Sequence, residues 1–269
     1  MNHATAATYV PSRRNARRIG AIARFTVLEA WRNRLIVLVV VAVALLTLLS
    51  LFARELAVTE SGRLQTAILA STLRVASVFL MALYILIGLT REFNDKVLEL
   101  MLSLDLPRAG YLMGKFLGFA IVALAVAAIV TVPVGVLAPI HALAWGCSLA
   151  LELLIIAALS VFCITTFTQP LPAAAFVTAF YLLARSITAI QLMSGSSLLG
   201  VDGFGQKASA VLADAFALAL PRMDAFTQTA WLVNDAVAQP ALLNIFLQTT
   251  AYVGLLLAAA MFDLYRKNF

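Results

Sequence analysis

Six apolar stretches, each long enough to cross a membrane, constrain the fold of this chain more than any other feature. A helix needs about 20 apolar residues to cross a hydrocarbon core of about 30 Å. Only 12% of the 269 residues are charged, whereas soluble domains carry about 25%. We therefore predict an all-α integral membrane protein with six transmembrane helices. The predicted spans lie near residues 35–53, 66–90, 111–133, 142–166, 172–190 and 243–263.

The segment before the first span divides into a tail and a short helix. Residues 1–18 are polar and basic and are predicted to be a disordered tail, whereas residues 19–269 form a single transmembrane domain. Residues 19–34 are predicted to be a helix that leads into the first span, where Trp31 and nearby arginines suit the headgroups of membrane lipid. The charges are dispersed around this helix, so we expect weak amphipathicity. A plain extension of the first span is the alternative.

The distribution of basic residues sets the predicted orientation. Thirteen of the nineteen Lys and Arg residues lie before residue 35, within residues 91–115 or at the C-terminal end. Four lie on the other side, and Arg74 and Arg185 fall inside spans. Because cytoplasmic loops carry the excess of Lys and Arg, both termini and residues 91–110 are predicted to be cytoplasmic. The first span is longer than the apolar core of a signal peptide, so we expect it to be retained.

The connections differ in length. Pro133 and Pro139 predict a tight turn between the third and fourth spans, and Pro170 and Pro172 a tighter one between the fourth and fifth. The longest external segment, residues 191–242, begins with a loop rich in Gly and Ser and continues with two short apolar stretches. We predict that these form re-entrant or interfacial helices, which membrane depth tolerates only when the backbone is buried. A small external cap is the alternative.

The stretch REFNDKVLELMLSLDLPRAGYLMGK, residues 91–115, carries charges of both signs between two spans. The spacing predicts a helix over 91–104 that runs along the membrane surface. Leu98, Met101 and Leu102 share one face at i, i+3 and i+4.

This stretch resembles the corresponding segment of "ABC two" permeases, the six-span membrane subunits of ABC exporters. The residues that match the family pattern without a gap are Arg91, Glu92, Leu98, Glu99, Leu100, Leu102, Ser103, Arg108, Tyr111, Gly114 and Lys115. Lys96 stands where the family has glycine, and Asp105 stands where it has proline. The number of spans, the short fourth-to-fifth connection and the long fifth-to-sixth segment also agree with the family.

The resemblance implies a function and a set of partners. It implies that residues 91–110 form a cytoplasmic coupling helix that docks on a separate ABC ATPase subunit, in the bacterial inner membrane. Two permease subunits, identical or related, would pair with two ATPase copies, which bind ATP and Mg²⁺ and drive export. The residues implied to contact or couple to the ATPase are Arg91, Glu92, Lys96, Leu98, Glu99, Leu102 and Arg108. An ordinary solvated loop is the alternative for this segment.

The chain lacks a nucleotide-binding motif of its own. The stretch GYLMGKF, residues 110–116, is one residue too short for a P-loop and has Phe116 where the motif needs a hydroxyl. We therefore expect no enzymatic activity and no cofactor in this chain. Gly110, Gly114 and Gly118 instead form a small-residue stripe, which predicts close helix packing within the subunit or across a dimer.

Three ionisable residues, Arg74, Glu152 and Arg185, lie inside predicted spans. A charge at the bilayer centre costs about 2.5–3.5 kcal/mol on insertion scales, so these side chains should face the interior or one another. A bridge from Glu152 to either arginine leaves one surplus positive charge. That charge either meets an anionic substrate group or belongs to an arginine that snorkels beside a structural ion pair.

Two other function classes stay open at this point. The first is an ion-coupled secondary transporter that uses Glu152 as the carrier, and the second is an integral membrane enzyme or scaffold. The two histidines and two cysteines offer no metal-ligand spacing. The net charge of +6 comes from bases beside spans and does not indicate a nucleic-acid partner. The sequence does not identify the transported substrate.

Overall fold

The computed structural model describes residues 13–56, 61–95, 108–167, 169–195, 220–233 and 239–266. All regular structure within these ranges is helical, which confirms the all-α prediction. The helices are α1 (Arg13–Arg32), α2 (Leu35–Leu56), α3 (Ser61–Asn94), α4 (Arg108–Leu137), α5 (Ala142–Phe167), α6 (Pro170–Gly195), α7 (Ala230–Val233) and α8 (Gln239–Arg266), with a 3₁₀ turn at Met223–Ala225.

Six of these helices, α2 to α6 and α8, are long and apolar enough to cross a membrane. This confirms the predicted number of candidate spans and indicates a multi-pass membrane protein. The outward side of α2 is lined with exposed leucines such as Leu45 and Leu48. An exposed apolar surface of this kind is stable against lipid and unfavourable against water.

Helix α5 lies at the centre of the bundle. It packs against α3, α4, α6 and α8, and most of its length is buried. A helix that is apolar on all sides belongs inside the protein, and α5 is almost continuously apolar from Ala142 to Phe167. Helix α1 packs mainly on α4, and α2 packs on α3 and α4.

Two features of the helix limits differ from the predicted spans. Helix α4 continues through Pro133 to Leu137, so the turn to α5 occupies residues 138–141. Pro133 has no N–H for the backbone bond to residue 129, but membrane helices tolerate such a loss when their neighbours compensate for it. Pro170 is the first residue of α6, where a missing N–H breaks no helical bond.

The connecting segments are described in part. Residues 91–94 of the predicted coupling segment are the last turn of α3, and α4 begins at Arg108. Lys96, Leu98, Glu99 and Leu102 lie outside the described residues. Of the long segment between the fifth and sixth spans, the structure describes the end of α6 and residues 220–233.

The bundle has two ends, which we name for use below. The α1 end contains α1, the last turns of α3 and α5 and the first turn of α4. The distal end contains the turn between α4 and α5 and the segment 220–233, which packs among α3, α5 and α6.

Candidate functional site

Four polar side chains from three helices form a compact cluster at the α1 end, which we call the α1-end cluster. The ammonium of Lys115 donates a hydrogen bond to Oε1 of Glu92, and the Tyr111 hydroxyl donates to Oε2 of Glu92 at 2.6 Å. Lys115 Nζ also lies 3.7 Å from Oε2 of Glu29. Tyr111 and Lys115 reach one carboxylate because residues four apart share a helix face.

Burial makes this cluster electrostatically sensitive. The Lys115 side chain is 8% exposed and that of Glu92 is 14% exposed. Partial burial raises the pKa of the Glu29 carboxyl above its ordinary value, and the nearby Glu92 charge raises this pKa further, while Lys115 opposes both effects. The Lys115 ammonium therefore interacts with two carboxylates. Solvent screens its attraction to Glu92 only weakly, because both side chains are largely buried.

The α1-end cluster joins the helices that flank residues 95–107. Glu92 lies in the last turn of α3, whereas Tyr111 and Lys115 lie in the first two turns of α4. Glu29, near the end of α1, extends the connection to a third helix. A movement of the ends of α1, α3 and α4 relative to one another would therefore break these bonds.

The residues predicted to contact an ATPase have different surroundings. Glu92 faces the interior of the cluster, whereas Arg91 is exposed. Arg108 Nη1 donates hydrogen bonds to the carbonyls of Leu264 and Tyr265 at 3.0 and 3.4 Å, at the end of α8. The C-terminal end of a helix leaves carbonyls unpaired and carries partial negative charge, so a guanidinium is stabilised there.

The glycine stripe on α4 receives helix α1. A Cβ atom added at Gly114 would lie 2.8 Å from Cβ of Ile22, and one at Gly118 would lie 2.5 Å from Cβ of Thr26. Both glycines are therefore needed for the close approach of α1, and Gly110 is also buried. Of the two predicted packing modes, the structure places the stripe's contact within the subunit.

The three predicted intramembrane charges converge on the segment 220–233. Both oxygens of the fully buried Glu152 accept hydrogen bonds, from Tyr181 OH at 2.9 Å and from Thr227 Oγ1 at 2.5 Å. Arg185 Nη1 lies 3.8 Å from Oε1 of Glu152, so the structure pairs the acid with Arg185. Arg74 instead donates to the carbonyl of Thr227 at 3.0 Å.

Two positive side chains hold the backbone of the 3₁₀ turn and its neighbours. Arg185 Nη1 donates to the carbonyls of Met223 and Phe226 at 2.6 and 3.0 Å. The amide of Thr227 donates to Ser148 Oγ at 2.9 Å. Irregular backbone away from water must find such partners, because each unsatisfied group costs free energy.

Thr227 is the residue on which these bonds meet. Its amide, carbonyl and hydroxyl each have a partner on a different side chain, from α5 or α3. Its backbone has φ of 43°, a left-handed conformation that is unusual for a β-branched residue. The surrounding bonds thus hold a strained conformation that an isolated turn would avoid. We call Arg74, Ser148, Glu152, Tyr181, Arg185 and Thr227 the distal network.

The bonds of the distal network hold a segment of irregular backbone against α3, α5 and α6. Its anion is fully bonded and its two guanidinium groups bind carbonyl oxygens. The Nε atom of Arg74 has no partner in the part of the chain that the structure describes. Among the same residues, no three His, Cys, Asp or Glu side chains are grouped as a metal site, and Cys147 and Cys163 are free thiols.

Several members of these two clusters were outside the predicted site. Ser148, Tyr181 and Thr227 are uncharged, so hydropathy gives no reason to single them out of an apolar chain. Tyr111 and Lys115 belong to the family pattern, and their spacing of four residues places them on one helix face. Glu29 gives no signal in the sequence, because its partner lies 86 residues away.

Comparison with known proteins does not assign this chain to a family. No protein-family model matches the chain, and a search of curated protein sequences finds no significant match.

Proposed function

We propose that this chain is the permease subunit of an ATP-driven transporter of the ABC type, and that the transporter is an exporter. Two such subunits would form the pathway in a bacterial inner membrane, with both termini in the cytoplasm. The resemblance of residues 91–115 to the family pattern and the six candidate spans support this proposal. ATP and Mg²⁺ would bind to two separate ATPase subunits.

The α1-end cluster is the observation that supports energy coupling most directly. A force applied to residues 95–107 reaches the membrane domain through the ends of α3 and α4. The Glu92–Lys115 and Glu92–Tyr111 bonds connect those ends, and Glu29 connects α1 to the same lysine. A buried, multiply bonded pair resists local bending, so the three helices are suited to move as one unit.

The geometry divides the proposed coupling residues into two groups. Arg91 is exposed at the end of α3 and is a proposed direct contact with the ATPase. Glu92 and Arg108 make bonds within the chain, so their proposed role is to transmit movement from the segment to the helices. Lys96, Leu98, Glu99 and Leu102 stay proposed docking residues on the strength of the family pattern.

The distal network supports a structural role for the buried charges in this proposal. In a membrane, segment 220–233 would be a re-entrant turn on the external side, closed over the bundle by Arg74, Arg185 and Glu152. A secondary transporter that uses Glu152 as an ion carrier receives less support. Both oxygens of this carboxylate already accept hydrogen bonds inside the protein, whereas an ion carrier must exchange its partners during the cycle.

Site-specific photocrosslinking in native cells tests the proposal. A photoreactive amino acid at Glu99 should capture a protein that carries a Walker nucleotide-binding motif. The same amino acid at Leu143, which is exposed in the first turn of α5 at the distal end, should not capture it. If both positions gave the same products, or position 99 captured no ATPase, the assignment to this class would be lost.

A functional measurement separates docking from mere proximity. Glu99→Lys should abolish copurification of the captured ATPase, and the purified complex should lose the ATPase stimulation that the permease provides. The distal variant Arg222→Gln serves as the control, because Arg222 is an exposed side chain remote from the α1 end. Transport that continued without ATP but stopped when the proton gradient was removed would favour the ion-coupled alternative.

A further inference from the structure

Helix α1 has two sides of different chemistry. One side is buried on α4 through Ile22, Ala23, Thr26 and Ala30. The other side exposes arginines together with large apolar residues, namely Arg17, Arg24, Phe25, Leu28, Trp31 and Arg32. Phe25 is 68% exposed and Trp31 is 72% exposed. The expectation of weak amphipathicity is therefore wrong: Arg17, Arg24 and Arg32 share one outward face, because their spacing brings them to the same side of a continuous helix.

Every charged residue that the structure describes on this outward face is basic. The acidic residue of α1, Glu29, turns toward Lys115 and away from this face. Neither Arg17 nor Arg24 makes an ion pair with the described part of the chain. The face therefore combines exposed guanidinium groups with exposed aromatic and aliphatic side chains, a combination typical of helices that lie in a membrane interface.

The connection to α2 places this face at the edge of the apolar layer. Helix α1 ends at Arg32, and Arg34, with φ of 57°, turns the chain into α2. The exposed apolar surface of α2 begins at Val37 and Leu38. An aromatic residue three positions before this turn, such as Trp31, is therefore at the level where headgroups meet acyl chains.

We propose that the outward face of α1 is a contact site for anionic phospholipids. Phe25, Leu28 and Trp31 would enter the boundary of the acyl chains, and Arg17 and Arg24 would bind the phosphate-bearing headgroups. The preferred occupant is a lipid with net negative charge, because its headgroup adds attraction at the surface to the phosphate hydrogen bonds that a zwitterionic lipid also offers. This proposal is independent of ATP coupling and requires only that the chain lies in a membrane.

Tryptophan quenching by brominated lipids tests the site in the full-length protein. The chain has three tryptophans. Trp145 and Trp231 are buried, and Trp31 is exposed, so the difference between wild type and Trp31→Phe isolates the outward face. Proteoliposomes would contain phosphatidylcholine and phosphatidylglycerol, with the bromine label on one or the other lipid. We expect stronger quenching of Trp31 by brominated phosphatidylglycerol at equal mole fraction.

The arginine variants determine whether charge causes the preference. Arg24→Gln should lower the preference for phosphatidylglycerol about fivefold, which corresponds to the contribution of one basic residue near an anionic surface. Arg24→Lys should retain most of the preference. Arg222→Gln, at the distal end, should leave it unchanged.

Three outcomes would overturn the proposal. Equal quenching of Trp31 by the two brominated lipids would remove the headgroup preference. A preference that survived in the double variant Arg17→Gln/Arg24→Gln would remove these arginines as its cause. Absence of any Trp31 quenching would mean that a protein surface, such as a second copy or an acidic partner, covers the face. Size-exclusion profiles of the variants would confirm that each is folded.

Discussion

The hydroxyl of Thr227 donates a 2.5 Å hydrogen bond to the carboxylate of Glu152, two residues that are 75 positions apart in the chain. This bond places an irregular turn against the centre of helix α5. The carbonyl oxygen of Thr227 also accepts a hydrogen bond from Arg74, and its amide donates one to Ser148 Oγ. Three of the polar bonds that hold the distal segment therefore go to Thr227, and Arg185 adds bonds to the carbonyls of Met223 and Phe226.

Removal of the Thr227 hydroxyl should weaken the distal end. Thr227→Val keeps the shape but leaves one oxygen of a buried carboxylate without its donor, so we expect a loss of about 1.5–3 kcal/mol in the free energy of unfolding. Thr227→Ser should retain most of the wild-type value, because it restores the donor. Unfolding in mixed micelles with increasing SDS measures the difference.

The matched control for that experiment is Thr250→Val. Thr250 Oγ1 donates to the carbonyl of Phe246 on an exposed side of α8, so its removal should change the free energy of unfolding by less than about 0.5 kcal/mol. Equal effects at positions 227 and 250 would show that the bond to Glu152 contributes nothing specific.

The Glu92–Lys115 pair should show strong energetic coupling. Lys115→Met leaves a nearly buried carboxylate without its cation, and loss of one partner of a buried pair typically costs about 3–5 kcal/mol. Glu92→Gln in the same background should recover much of that loss, since the unpaired charge is then gone. A double-mutant cycle measured by unfolding should give a coupling of at least about 1 kcal/mol. Additive effects would contradict the proposed rigid connection between α3 and α4.

A side chain at Gly118 should displace α1. In Gly118→Ala the new Cβ would lie 2.5 Å from Cβ of Thr26, and overpacking of this kind typically costs about 1–3 kcal/mol. Thr26→Ala should fail to rescue this variant, because the colliding Cβ remains. Thr26→Gly should rescue it in part, because it removes the contacts with Thr26 but leaves the Ala23 carbonyl oxygen 3.0 Å from the new Cβ. Thermal unfolding and limited proteolysis of α1 would report the change.

Gly254→Ala is the matched control for the packing experiment. Gly254 also lies within a helix, α8, but a Cβ added there meets no atom within 4 Å. Because alanine favours helix over glycine by about 1 kcal/mol, this variant should be as stable as wild type or slightly more stable. Comparable destabilisation at both glycines would mean that the contact with α1 is not the cause.

The stability contributed by Glu29 should depend on pH. Its pKa is raised in the folded state, chiefly by burial, so between the unfolded and folded pKa values the folded protein binds more protons. Its contribution is therefore fully present below the unfolded pKa and is lost as pH rises through the folded one. The melting temperature of wild type relative to Glu29→Gln should be highest near pH 4 and should fall toward pH 7. A difference that grew with pH would show that attraction to Lys115 outweighs burial.

Hydropathy predicted the candidate spans well because it needs only local composition. Each of the six predicted spans lies within a helix. Helices α3, α4 and α6 extend several residues beyond the limits of the predicted spans. The predicted turn at Pro133 is wrong, because α4 continues to Leu137. The prediction assumed that an interior proline breaks a helix, as it usually does in soluble proteins. Within α4, Val130 and Val134 on either side of this proline are buried in the bundle, and packing of this kind stabilises a helix that a proline weakens.

The candidate site was predictable only in part. The glycine stripe predicted a close helix contact, but its spacing on α4 contains no information about the partner helix. Charge inside a span identified Arg74, Glu152 and Arg185 as residues that need partners. That Arg185 pairs with Glu152, and that both arginines bind backbone carbonyls, depends on side-chain geometry that hydropathy does not contain.

The sequence by itself determined the helical class and the six candidate spans, because a chain without competing water must satisfy its backbone within helices of sufficient length. The tertiary structure alone decided that Glu92 faces Lys115, that α1 occupies the glycine stripe, and that Thr227 binds Glu152. Those choices join residues that are 23 to 92 positions apart. They depend on how whole helices pack, which no local pattern of residue types specifies.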